Sequence, residues 1–133
     1  NGIDRLYVAA SMGMADPAHV HRLCSAILER HPRLSLGLHL HDTNGMALAN
    51  ALAALDAGVG WFEGSICGIG VGIRMPMSTL DIGNVASEDL VSMLEGMGIH
   101  TGVDLTALRD VGWEIAELLD IEPRGRFLRA GTK

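Results

Sequence analysis

The chain has 133 residues, a formal net charge of −6 and 48% hydrophobic residues, the profile of a soluble globular protein with room for one domain. Its ten Lys and Arg are scattered rather than gathered into a stripe, which argues against a nucleic-acid partner. No apolar run approaches the ~18–20 residues that span a bilayer, so no membrane segment is expected. Cys24 and Cys67 stand in apolar settings and do not read as a disulfide framework; a reducing, cytoplasmic location follows, or the mitochondrial matrix in a eukaryote. The opening Asn1-Gly2-Ile3-Asp4-Arg5 lacks a basic region ahead of an apolar core. It reads as the start of an internal piece of a longer protein, not as a secretory signal.

Two kinds of segment alternate along the chain. Residues 6–10 form a short apolar run suited to a buried strand. Asp16-Pro17 opens a helix, with Asp as N-cap and Pro in the first turn; Val20, Leu23, Cys24, Ile27 and Leu28 give it an apolar face, and Pro32 stops it. Residues 34–41 are a second strand. Asn44-Gly45 starts a second helix in which Leu48, Ala51, Leu52 and Leu55 share a face, ended by Gly58. Residues 59–68 are a third strand. After a loop rich in Gly and Met, Ser87 with Glu88 and Asp89 caps and charges a third helix. A fourth helix is expected over 104–119, with Leu105, Leu108, Val111, Ile115, Leu118 and Leu119 as its apolar residues. The basic, turn-rich tail 122–133 is expected to fray, and the seven methionines to fill the core.

Strand and helix repeated in this way imply an α/β fold with parallel strands and right-handed crossovers. Side chains alternate along a strand. In the second strand, Leu34, Leu36, Leu38 and Leu40 therefore point one way, and Ser35, Gly37, His39 and His41 the other. One face suits helices, and the other carries polar groups only at its C-terminal end. That is the layout of a (β/α)8 barrel strand, whose reactive residues face inward at the C-terminal rim. In the third strand Phe62 and Ile66 should face helices, and Glu63, Ser65 and Cys67 the barrel interior. Three strands cannot close a barrel of about 250 residues, so the chain is expected to be a fragment. Residues 1–100 would be the C-terminal part of the barrel, and 101–133 a C-terminal helix and tail.

His39-Leu40-His41-Asp42 carries the strongest chemical signal. Two imidazoles two residues apart project from one face of a strand, close enough to grip one cation. The alternative is that either ring simply hydrogen-bonds inside a core. Asp42 is expected to brace the following turn. Gly83-Asn84, by itself, reads as a turn. His19, His21 and His31 read as solvated helix residues, His100 as a loop-ordering one, and Cys67 as an inert buried thiol.

The run His39-Leu40-His41-Asp42-Thr43-Asn44-Gly45, then Ala47-Leu48-Ala49-Asn50, Gly68-Ile69-Gly70 and Gly83-Asn84, resembles the 3-hydroxy-3-methylglutaryl-CoA lyase family. The stretch Glu88-Asp-Leu-Val-Ser-Met-Leu-Glu-Gly-Met-Gly-Ile-His-Thr-Gly102 is similar throughout. The resemblance covers nearly all of the chain and implies the last three βα units, strands six to eight, of a (β/α)8 barrel plus C-terminal helices. It implies Mg²⁺ or Mn²⁺ held by His39, His41 and Asn84, with Zn²⁺ or Co²⁺ able to substitute. An Asp ligand and a catalytic Arg would lie upstream of Asn1. The implied reaction is retro-aldol cleavage of a 3-hydroxyacyl-CoA to acetyl-CoA and a keto product, with His39 as a catalytic metal ligand.

Two departures stand out. Gly72 or Ile73 occupies the place of the family's proton-donating loop Cys, and Ala9-Ala10-Ser11 replaces an acidic Gly-Asp-Thr. With Met75 and Met77, that loop suggests a longer or more apolar acyl group than methylglutaryl. Residues 70–84 are expected to act as a mobile lid. A homo-oligomer is expected, and the fragment alone should be inactive. Two other readings remain: a Claisen-type acyltransferase of the isopropylmalate or citramalate synthase kind, and a metal-binding relic without turnover.

Overall fold

The computed structural model describes residues 2–70 and 83–130. The expected alternation is present: β1 (Arg5–Ala10), α1 (Pro17–Arg30), β2 (Ser35–Leu40), α2 (Ala47–Asp56) and β3 (Trp61–Glu63). After a 3₁₀ turn (Ile66–Gly68) come α3 (Ser87–Gly96), α4 (Leu105–Leu118) and α5 (Arg126–Ala130). The strands form one parallel sheet in the order β1-β2-β3. The expected lid residues Gly72, Ile73, Met75 and Met77 lie outside the described residues.

Local chemistry accounts for the element ends. The Asp16 carboxylate accepts from the backbone N–H of His19, and Pro17 takes the first turn of α1, where its missing N–H costs nothing. The Asp104 carboxylate accepts from Thr106 and Ala107 at the start of α4. α2 begins two residues later than Asn44-Gly45 suggested, and its first N–H is served by Asp42, which accepts from Ala47 N at 2.8 Å.

β2 is the axis of the core. Leu36, Leu38 and Leu40 are buried at 1%, 2% and 0% exposure, each contributing about 1.5–3 kcal/mol relative to an exposed side chain. They pack under α1 through Val20 and Cys24 and under α2 through Ala47, Ala51 and Ala54. Small residues let α2 lie close to the sheet, and its buried face is this alanine stripe together with Asn50. Leu48 and Leu55 flank that face, and Leu52 is exposed. Asn50 donates to Ala15 O and so ties α2 to the loop after β1.

Several readings of the sequence need correction. The third strand does not run to residue 68: it ends at Glu63, and Ser65 pairs with Ala86 while Cys67 takes a left-handed φ of 56°. Alternation stops there, so Cys67 packs with Ala116 and Leu128 in a second cluster, with Ile66 beside them, instead of facing the sheet's polar side. Ser87 is the first residue of α3 rather than its cap; Ala86 holds the cap position. The tail does not fray over 126–130: the Asp89 carboxylate accepts from Arg126 N and Phe127 N, and Leu128 is buried. In α4, the buried positions are Gly112 and Ala116, while Val111, Leu118 and Leu119 are exposed. Met12, Met14, Met46 and Met97 are likewise exposed rather than core residues.

Candidate metal centre

The polar face of the sheet is organised around β2. Gly37 sits directly beneath the indole of Trp61, and any Cβ there would collide with the ring. Trp61 in turn meets Tyr7 edge to face, and the Arg5 guanidinium lies 4.4 Å from the indole centroid. This aromatic floor fills the N-terminal half of the face. Above it, towards the C-terminal ends of the strands, stand His39 and His41.

The expected parallel projection of the two histidines is what the backbone delivers. Their Nε2 atoms are 3.1 Å apart, with ring centroids at 5.0 Å. His41 leaves β2 but keeps its direction through a bridge to Asn84, in which Asp42 N donates to Gly83 O and Val85 N to Leu40 O. That bridge brings Asn84 beside His41 although 43 positions separate them in sequence. The Asn84 amide donates to Ile69 O at 3.0 Å, which fixes its NH₂ end, while its Oδ1 is buried with no hydrogen-bond partner among the described residues. A buried acceptor of this kind has capacity for a further donor or a cation.

His39 Nδ1 lies 3.3 Å from a Glu63 carboxylate oxygen. His41 is 6% exposed, and burial, followed by the adjacent His39, holds its imidazole below the ordinary value. The neutral imidazole is the form that coordinates metals. Two ligand atoms about 2.1 Å from one octahedral ion, at right angles to each other, are separated by roughly 3 Å. The 3.1 Å between the two Nε2 atoms fits that geometry. The imidazole pair and the amide oxygen thus fit a divalent ion as a partial set. Among the described residues no three His, Cys, Asp or Glu side chains converge.

The remaining candidates fall outside this centre. The Cys67 Sγ donates to Gly112 O at 3.1 Å, the residue is 1% exposed, and burial pushes its thiol up, with nearby Glu88 adding to the rise. Such a thiol is inert, as the sequence suggested. His21 pairs with Asp56 at 3.1 Å on the surface. His100 lies 3.7 Å from Glu95, whose carboxylate, holding Thr101 through its N–H and hydroxyl, is kept below the usual range. Sequence reasoning gave Glu63 no role and passed over Trp61. Both matter here through strand register, which no local pattern reveals.

The chain belongs to the HMGL-like family, whose profile matches residues 1–115. It is 42% identical over 107 residues to (R)-citramalyl-CoA lyase of Chloroflexus aurantiacus, a match covering 80% of this chain and 33% of that one. It is 37% identical over 132 residues to mitochondrial hydroxymethylglutaryl-CoA lyase of Homo sapiens, covering 99% of this chain and 40% of the human protein. The structure of an HMG-CoA lyase from Acinetobacter baumannii in complex with coenzyme A and 3-methylmalate superposes with a TM-score of 0.86 at 35% identity. That match covers 99% of this chain and 42% of the other. The chain therefore spans about a third to two fifths of the length of the relatives it matches.

Proposed function

We propose that this chain is the C-terminal part of a divalent-metal-dependent lyase. In the whole protein it supplies strands six to eight of a (β/α)8 barrel, and the reaction is cleavage of a 3-hydroxyacyl-CoA to acetyl-CoA and a keto product. The observation that carries the reading is the pair of Nε2 atoms 3.1 Å apart at the C-terminal end of β2, with Asn84 bridged beside them. Family membership supports an acyl-CoA lyase over the acyltransferase alternative, because the relatives named above are lyases. Those two relatives are named for different thioesters. That favours a related 3-hydroxyacyl-CoA as substrate without requiring methylglutaryl.

In the reaction the C3 hydroxyl loses its proton, the C2–C3 bond breaks, C3 becomes a ketone and the electron pair moves into the thioester enolate, which is then protonated at C2. Mg²⁺ or Mn²⁺ held at this centre supplies the charge that lowers the hydroxyl pKa and orients the bond to be cleaved. His39, His41 and Asn84 Oδ1 are the residues that would hold it. Trp61 over Gly37 fills the floor below them. The Asp42 carboxylate, bonded to Ala47 N, holds the loop that leaves the rim next to His41. Cys67 does not protonate the enolate, because its Sγ is turned into the second core cluster. The proton comes from water or from a residue outside the described part.

The test is kcat/KM of the full-length protein on 3-hydroxy-3-methylglutaryl-CoA, citramalyl-CoA and longer or branched analogues, with and without Mg²⁺ or Mn²⁺. Metal-dependent release of acetyl-CoA, best on a thioester other than methylglutaryl, is expected. Full activity after exhaustive chelation would sink the metal reading. Absence of cleavage across the panel in metal-loaded enzyme would leave the non-catalytic relic.

A further inference from the structure

Residues 39 and 63 are directly opposed in the β2–β3 register, so their Cβ atoms leave the same face side by side. The consequence is a contact of 3.3 Å between His39 Nδ1 and the Glu63 carboxylate. The other ring nitrogen of the same imidazole, Nε2, is the one turned towards His41. Neutral imidazole has one N–H and one lone pair. A carboxylate accepts and does not donate, so Glu63 places the proton on Nδ1 and keeps the lone pair on Nε2, the atom in hydrogen-bond contact with His41 Nε2 at 3.1 Å. Tyr7, with its ring centroid 6.2 Å from that of His39, flanks the ring from the β1 side. His41 has no equivalent: its Nδ1 is buried without a partner among the described residues.

We propose that Glu63 is a positioning residue for the metal centre, fixing the tautomer and the ring orientation of His39 so that its Nε2 presents a lone pair beside that of His41. This rests on the metal-centre reading above and adds to it the residue that makes one of the two ligands competent. An isolated carboxylate–imidazole contact, with Glu63 and His39 side chains 42% and 23% exposed, does little for folding. Its effect is on ligation: outer-shell partners of this kind typically change metal affinity about 10–100-fold.

The experiment uses the full-length protein with Mn²⁺ as the probe. The dissociation constant is followed by the electron paramagnetic resonance of free Mn²⁺, and the thermal melt is recorded for the metal-free protein. Glu63→Ala is expected to weaken Mn²⁺ binding by about 10–100-fold, Glu63→Gln by less because its amide oxygen still accepts from Nδ1, and both with unchanged metal-free melts. At saturating Mn²⁺ kcat should recover, whereas His39→Ala should not recover at any Mn²⁺ concentration. Wild-type affinity in Glu63→Ala alongside loss of binding in His39→Ala would overturn the positioning role and leave the metal centre intact. Wild-type affinity in His39→Ala would overturn the metal centre itself. Loss of binding in Glu63→Ala that no Mn²⁺ concentration restores would make Glu63 a direct ligand and overturn the proposal. If the alanine variant does not fold, the Gln variant and Glu63→Asp carry the same comparison.

Discussion

The end of β2 and the end of β3 look alike in sequence and behave oppositely in the fold. Both are apolar runs closing on a polar or reactive pair, His39 and His41 in one and Ser65 and Cys67 in the other. At the end of β2 the alternation survives past the last strand residue, because the backbone of Asp42 and Val85 extends the pairing to the segment at Asn84. At the end of β3 the segment around Ser65 pairs with the segment around Ala86, and the left-handed φ of 56° at Cys67 turns the chain away. The pleat places side chains only for as long as a neighbouring strand holds it flat. One pair is thus presented at the rim, and the other is divided between a turn and the second core cluster.

The comparison is broken most severely by removing a rim histidine. If the rim pair holds the metal as proposed, His41→Ala in the full-length protein should lower kcat/KM by more than about 100-fold, since losing a ligand exceeds the usual effect of losing its outer-shell support. Metal content, measured on the same sample, should fall with it; full occupancy would show that the rim pair does not bind the ion. A bulky residue under the floor comes next. Gly37→Leu has to displace the Trp61 indole, and should cost about 1–3 kcal/mol of stability in denaturant titration. An unchanged midpoint would mean that Trp61 moves aside freely.

Changes at the β3 end should leave turnover alone. Cys67→Ala removes the bond from Sγ to Gly112 O and should cost about 1 kcal/mol, with kcat/KM on the preferred thioester unchanged. A large loss of kcat at constant KM would make Cys67 the proton donor after all. The smallest expected effect concerns Glu88. This fully buried carboxyl accepts from Cys67 N, and burial is the main cause that raises it above the ordinary carboxylate range. A group whose folded value is raised binds its proton more tightly in the native state. Its share of stability is therefore present in acid and is lost as pH climbs from the unfolded value through the folded one. Glu88→Gln cannot titrate. It should match the parent in acid and become relatively more stable towards neutral pH, as read from melting temperatures across that range. A gap that is constant with pH would show that folding leaves the proton affinity of Glu88 unchanged.

Much of this was written in local chemistry. Asp16-Pro17 caps the helix it was expected to cap, a helix starts at 104–105 as expected, and the leucines of β2 lie on the face that their spacing requires. The His-x-His pair was legible because a period of two on a strand needs nothing beyond the strand itself. The ordering of α5 was not legible, since its N-terminus is capped by Asp89 from a helix 37 positions away. Nor was the exposure of Leu118 and Leu119: the Leu128 side chain packs where a Cβ on Gly112 would stand, which selects a face of small residues that an apolar count overlooks.

The sequence by itself determined the alternating α/β order, the leucine-lined side of β2 and the direction in which two imidazoles project. These depend on backbone geometry that repeats every few residues. Only the tertiary structure decided that Asn84 stands beside His41, that Glu63 stands beside His39, and that Cys67 turns away from both. Each of those placements depends on which strand pairs with which and in what register, a long-range choice made by the packing of the whole sheet.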